Sequence, residues 1–127
     1  MLTMAMFTSS LEELQPLITN FISSLNYNII SKVNTSPNIY QYKAYNIKRL
    51  NDPPVLLLFH RTTKEIIEGQ INDFHNEISK EKCKNGIYIT TSKFSLRAKS
   101  SASSKTIDLY DSEYINKYME KNKAFKK

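Results

Sequence analysis

Tryptophan is absent from the 127 residues, glycine occurs twice, proline four times and cysteine once. So few turn-forming residues disfavour an all-β fold built from many short hairpins. The single cysteine, Cys83, excludes an internal disulfide framework, and with two histidines it excludes any zinc-finger pattern. A reducing, intracellular setting is therefore expected, cytoplasm or nucleus. Long hydrophobic runs are also missing. After residue 7 the longest is residues 55–59, far below the ~20 residues of a membrane-spanning helix, so no membrane partner is expected. Residues 1–7 are apolar but lack a basic flank, which predicts no targeting segment. Neither a glycine-rich phosphate loop nor a nucleophile elbow is present, and Cys83 sits among lysines rather than beside a base.

What is there suits one globular domain. The chain is 40% hydrophobic and 24% charged, and a single chain of this length buries roughly two-thirds of its unfolded surface. We expect one domain over residues 1–120 and a basic tail over 121–127 that frays. The formal charge of +6 is uneven: residues 1–80 balance seven cations against seven carboxylates, whereas residues 81–127 hold eleven against five. Such asymmetry fits a nucleic-acid or other anionic surface as well as a solvated basic terminus.

Periodicity supplies the elements. Ser10 with Glu13 forms a capping box, and Leu11, Leu14, Leu17, Ile18, Phe21, Ile22 and Leu25 make one apolar stripe, so a helix is predicted up to Asn26. Pro16 inside it, at a cost of about 3 kcal/mol, predicts a kink or a later start. Strands are predicted over residues 27–33, 39–48 and 55–60, separated by Asn/Pro-rich turns. The last, continuously apolar, should be buried on both faces. Thr62 with Glu65 is a second capping box, predicting a helix with Ile67, Ile71, Phe74 and Ile78 on its buried face. A buried strand over 86–91, a helix over 92–104 capped by Thr91 or Ser92, a strand over 106–110 and a final helix capped by Asp111 or Ser112 complete the order. Three tightly connected strands should form an antiparallel meander, and the step through a helix to residue 86 a parallel crossover. The fold class is α/β, a mixed sheet flanked by helices.

Residues 86–98 (Gly-Ile-Tyr-Ile-Thr-Thr-Ser-Lys-Phe-Ser-Leu-Arg-Ala), then Ala102 and the strand Ile107-Asp108-Leu109-Tyr110-Asp111, resemble the second half of Mrr-like restriction endonuclease domains. The likeness covers about residues 86–119 in motif and the first 80 residues in element order alone. It implies the restriction-endonuclease-like core, in the PD-(D/E)xK superfamily. It also implies DNA as partner, with Mg²⁺ held by an Asp on the second strand and a Glu or Gln two residues before a Lys on the third. Here the third strand reads Leu58-Phe59-His60 at that place, and the second offers Tyr40 or Gln41. Asp52 is the sole carboxylate between Glu13 and Glu65, and it falls at the far end of the meander. Carboxylate oxygens are what a hard cation needs, so the catalytic motif reads as degraded, a pseudo-nuclease with no cofactor. A rebuilt site would draw on Glu12 or Glu13, Glu65 and His60, and would restore Mg²⁺-dependent endonuclease activity.

Two segments suit phosphate instead. His60 and Arg61 end the third strand, where a forked guanidinium contact has a physical basis. Thr90, Thr91, Ser92 and Lys93 end a parallel strand where a helix is expected to open, with Arg97 and Lys99 further along that helix and Lys105 just past its end. Against this, the hydroxyls can equally be structural caps. The resulting expectation is a non-catalytic nuclease-fold domain that binds nucleic acid, DNA first, or pairs with a partner subunit. An active endonuclease and a purely structural subunit are the alternatives. Tyr40, Tyr42 and Tyr45 on the second strand also suggest a homodimer.

Overall fold

The computed structural model of the protein describes residues 11–121. Its elements are α1 (Leu11–Ser24), β1 (Tyr27–Ser36), β2 (Ile39–Asn46), β3 (Val55–His60), α2 (Glu68–Lys80), β4 (Gly86–Thr90), α3 (Leu96–Ser104), β5 (Ile107–Tyr110) and α4 (Ser112–Lys121). The five strands form one sheet in sequence order. β1, β2 and β3 are the predicted antiparallel meander. β4 runs parallel to β3, with Leu56 opposite Gly86, and β5 runs parallel to β4.

Strand alternation divides the core into two layers. Tyr40, Tyr42 and Ala44 of β2, Leu57 and Phe59 of β3, and Ile87 and Ile89 of β4 meet α1 and α4 through Leu17, Ile18, Phe21, Ile22, Ile115 and Met119. The residues between them, Leu56 and Tyr88, face Ile71, Phe74 and Ile78 of α2 and Ala98 and Ala102 of α3. Each fully buried aliphatic or aromatic side chain contributes about 1.5–3 kcal/mol, and both faces of β3 are used, as its unbroken apolar run predicts. Gly86 is required where it stands: a Cβ there would run into Ile78 and Phe74 of α2.

Several expectations need correction. α1 is continuous through Pro16 rather than starting after it. Asn26 ends it in a left-handed conformation, φ 71°; Ser10 and residues 122–127 lie outside the described part. The Thr62 capping box and the Thr91 or Ser92 cap mislead. α2 starts at Glu68, not at Thr62, and its first turn is closed by the Gln70 side chain accepting from the Ile67 N–H at 2.9 Å. α3 starts at Leu96, and its cap is Ser95, whose hydroxyl accepts from the Ala98 N–H at 3.0 Å. One interaction explains both delays. Ile66 and Phe94 pair in a short parallel bridge, with the Ile66 N–H donating to the Lys93 carbonyl and the Ser95 N–H to the Ile66 carbonyl. Both side chains are buried. The bridge holds the two crossover segments extended, and this long-range burial outweighs the local capping preference. Ile67, expected on the buried face of α2, is exposed as a result. Tyr40 and Tyr42 are core residues, 4% and 1% exposed, so they offer no dimer surface. Asp111 does cap α4, accepting from the N–H groups of Glu113 and Tyr114.

Candidate functional site

The carboxyl ends of β3 and β4 are clamped together by hydroxyls. Thr90 Oγ1 donates to the His60 carbonyl at 2.9 Å. Thr91 Oγ1 donates to the Thr62 carbonyl and accepts from the Thr62 N–H, both at 2.9 Å. The Ser92 N–H donates to Thr90 Oγ1. Thr90, Thr91 and Ser92 are all buried. The expected free N–H groups of a helix start are therefore not here, because α3 opens four residues later and these groups are already engaged. Lys93 precedes α3, exposed, and does not share its face.

Arg61 sits on the other side of this clamp. Its N–H donates to the Asn38 carbonyl and its Nη1 to Asn38 Oδ1, each at 2.9 Å. Asn38, Arg61, Thr62, Thr63 and Thr91 line an open hollow of about 220 Å³.

His60 points into a different cleft, of about 230 Å³, between the sheet and α2. Its Nδ1 shares a 2.9 Å hydrogen bond with the Tyr88 hydroxyl. Burial holds the imidazole below its ordinary pKa, so it is neutral near pH 7. Burial likewise raises the Tyr88 phenol, with the Asp73 charge adding to the effect. Gln41, Leu58, Asp73 and Glu77 line the same cleft. Sequence alone places Tyr40 or Gln41 at the position of the family's second-strand acid, but does not single out Asp73, Glu77 or Tyr88 as site residues. Their signal is positional: Gln41 and Leu58 are register partners on β2 and β3, and Asp73 and Glu77 flank the buried Phe74 and Ile78 of α2.

The third feature lies along α3. Arg97, Ser100, Ser101, Ser104 and Lys105 line an open groove of about 390 Å³, with Glu68 from α2 on its wall. Lys99 is exposed on the same helix. Ser101 is tied down by donating to Asn72 Oδ1, and Ser104 donates to the Ser101 carbonyl.

The acids considered for a rebuilt metal site do not gather around His60. Glu65 lines a separate surface hollow with Ile67, Glu68 and Leu96, and Glu12 and Glu13 are exposed on α1. Asp52 is engaged at the opposite end of the meander by Lys84 Nζ at 2.6 Å, which holds its carboxyl below the ordinary range. Among the described residues no three His, Cys, Asp or Glu side chains converge as metal ligands do.

The sequence profile of the Mrr-type restriction endonuclease family matches residues 10–119. The chain belongs to that family. The match reaches back through α1 and the meander, beyond the motifs of residues 86–119. Two solved structures share the family's fold with this chain. One is EndoMS in its apo form, with TM-score 0.55 and 12% identity over 81% of this chain and 46% of that one. The other is the MspJI restriction endonuclease in complex with a 27-mer oligonucleotide, with TM-score 0.50 and 13% identity over 79% of this chain and 24% of that one. The chain thus spans less than half the length of either. No curated protein matches it. Among the described residues no helix is long and apolar enough to cross a membrane.

Proposed function

We propose that this restriction-endonuclease-fold domain binds DNA through its phosphates and does not cut it. The supporting observation is the row on α3. Arg97 and Lys105 stand about 12 Å apart along the helix at 1.5 Å per residue, with Ser100 and Ser104 between them and no bulky side chain in the row. Cations at both ends and small hydroxyls between let a phosphate backbone approach closely and be held at more than one point. Lys99 adds charge beside the row, and Lys93 and Arg61 add it near the strand ends. Against cutting stands the chemistry of β2 and β3. Neither strand carries a carboxylate, and Gln41, Leu58 and His60 stand at the strand positions where the family resemblance asks for acids and a lysine; the two acids that line this cleft, Asp73 and Glu77, come from α2 instead.

The test is a gel-shift titration of duplex DNA beside plasmid incubation with Mg²⁺ and with Mn²⁺. Salt-sensitive binding with intact plasmid is expected. Metal-dependent nicking would establish an endonuclease with a relocated site, and no binding even at low salt would leave a structural subunit.

A further inference from the structure

Around the His60 cleft, polar groups outnumber their partners. The Gln41 side chain and the solvent-exposed Asp73 carboxylate make no hydrogen bond or ion pair with any described residue. His60 spends one ring nitrogen on Tyr88, and the other has no partner among the described residues. Glu77 has a single cation among the described residues, Lys80, at 3.9 Å, and that lysine does not line the cleft. No described lysine or arginine lines it at all, while two carboxylates do. The rest of the wall is formed by Ile39, Leu58, Phe74 and Tyr88, with Thr35 and Gln70 beside them, and the Tyr88 ring is set edge-on to Phe74 at 5.5 Å and tilted to His60 at 6.3 Å.

We propose that this cleft receives the guanidinium of an arginine side chain presented by a partner protein. Charge selects the class: two carboxylates without a lining cation repel phosphate and attract a cation. Shape and chemistry select arginine over lysine. A planar fork suits a carboxylate with two acceptor oxygens, further donors suit the Gln41 amide oxygen, and a weakly hydrated flat cation suits an aromatic wall. Among the described residues no three His, Cys, Asp or Glu side chains converge as transition-metal ligands do. This site is separate from the α3 row, so arginine capture and DNA binding can each fail alone.

The test uses the full chain, labelled with ¹⁵N, titrated with a blocked arginine tripeptide and with its citrulline counterpart, which keeps the shape and removes the charge. Amide shifts confined to the neighbourhood of Gln41, His60, Asp73, Glu77 and Tyr88 are expected, with citrulline at least about tenfold weaker, as befits loss of a charge-assisted fork. Asp73→Asn should weaken the arginine peptide by a similar factor, and its unchanged melting temperature would show that the fold is intact. Equal response to citrulline, shifts elsewhere on the surface, or no response at millimolar peptide would overturn the proposal. So would stronger perturbation of the same residues by guanosine monophosphate, which would make the cleft a nucleotide site.

Discussion

His60 Nδ1 and the Tyr88 hydroxyl stand 2.9 Å apart, joining β3 to β4 on the face that α2 covers. A buried phenol and a half-buried imidazole satisfy one another there, so neither needs a charge. The pair makes the imidazole part of the folded core's chemistry, and its protonation is therefore linked to stability.

The sign of that linkage is definite. Burial holds the His60 pKa in the folded state below the ordinary 6.5. Above that value both states are neutral and nothing is gained or lost. Below it the unfolded chain takes up the proton more readily, so stability falls as pH drops from about 6.5 through the folded-state pKa. Urea melts at pH 7.5 and 5.5 should show a loss for the wild type that is smaller in His60→Gln. A loss of the same size in the variant would assign it to other groups.

Tyr88 allows its ring and its hydroxyl to be separated. Tyr88→Phe keeps the edge-on contacts with Phe74 and Phe94 and removes one hydrogen bond, at about 1 kcal/mol. Phe74→Ala removes a ring that is 2% exposed and should cost about 3–5 kcal/mol. Equilibrium denaturation should rank the two in that order.

The α3 cap tests the most instructive disagreement between sequence and structure. Ser95→Ala should destabilise by about 1 kcal/mol, because the Ala98 N–H is left without its acceptor. Ser92→Ala should leave the helix unaffected. The opposite ranking would return the helix start to residue 92.

That disagreement shows where sequence reasoning is strong and where it stops. The meander, the parallel step to β4, both core layers and the Asp111 cap follow from period, turn chemistry and the motifs of residues 86–119. These signals are local, and tertiary structure reinforces them. The starts of α2 and α3 do not follow. Thr62 and Ser92 carry good capping chemistry, yet the Ile66–Phe94 bridge links residues 28 apart in sequence, and no local pattern announces it. Tyr40 and Tyr42 mislead for a related reason. Alternation puts them on one face correctly, but only the docking of α1 decides that this face is the interior. The His60 cleft is half legible. The strand-end position of His60 can be read, whereas Gln41, Asp73 and Glu77 come together only once α2 lies over the sheet.

The final prediction concerns DNA. Arg97 lies within α3 and Lys105 is its C-terminal cap residue, whereas Lys93 projects from an extended segment whose backbone, though bonded to Ile66, leaves its side chain exposed. A charge fixed on a rigid element sacrifices less freedom on binding than one that must be ordered. Arg97→Glu should therefore weaken duplex binding more than Lys93→Glu, each being a single charge reversal. If both Arg97 and Lys105 hold phosphates, Arg97→Gln with Lys105→Gln should flatten the log–log salt slope by about 0.9 for each phosphate no longer held. Sequence preference should stay weak throughout, because the row offers cations and hydroxyls rather than a set of base-reading amides. Filter-binding titrations at several salt concentrations measure all three quantities together. A large drop in affinity confined to Lys93→Glu, at unchanged slope for the Arg97 and Lys105 variant, would move the DNA-binding surface from the α3 groove toward the strand ends.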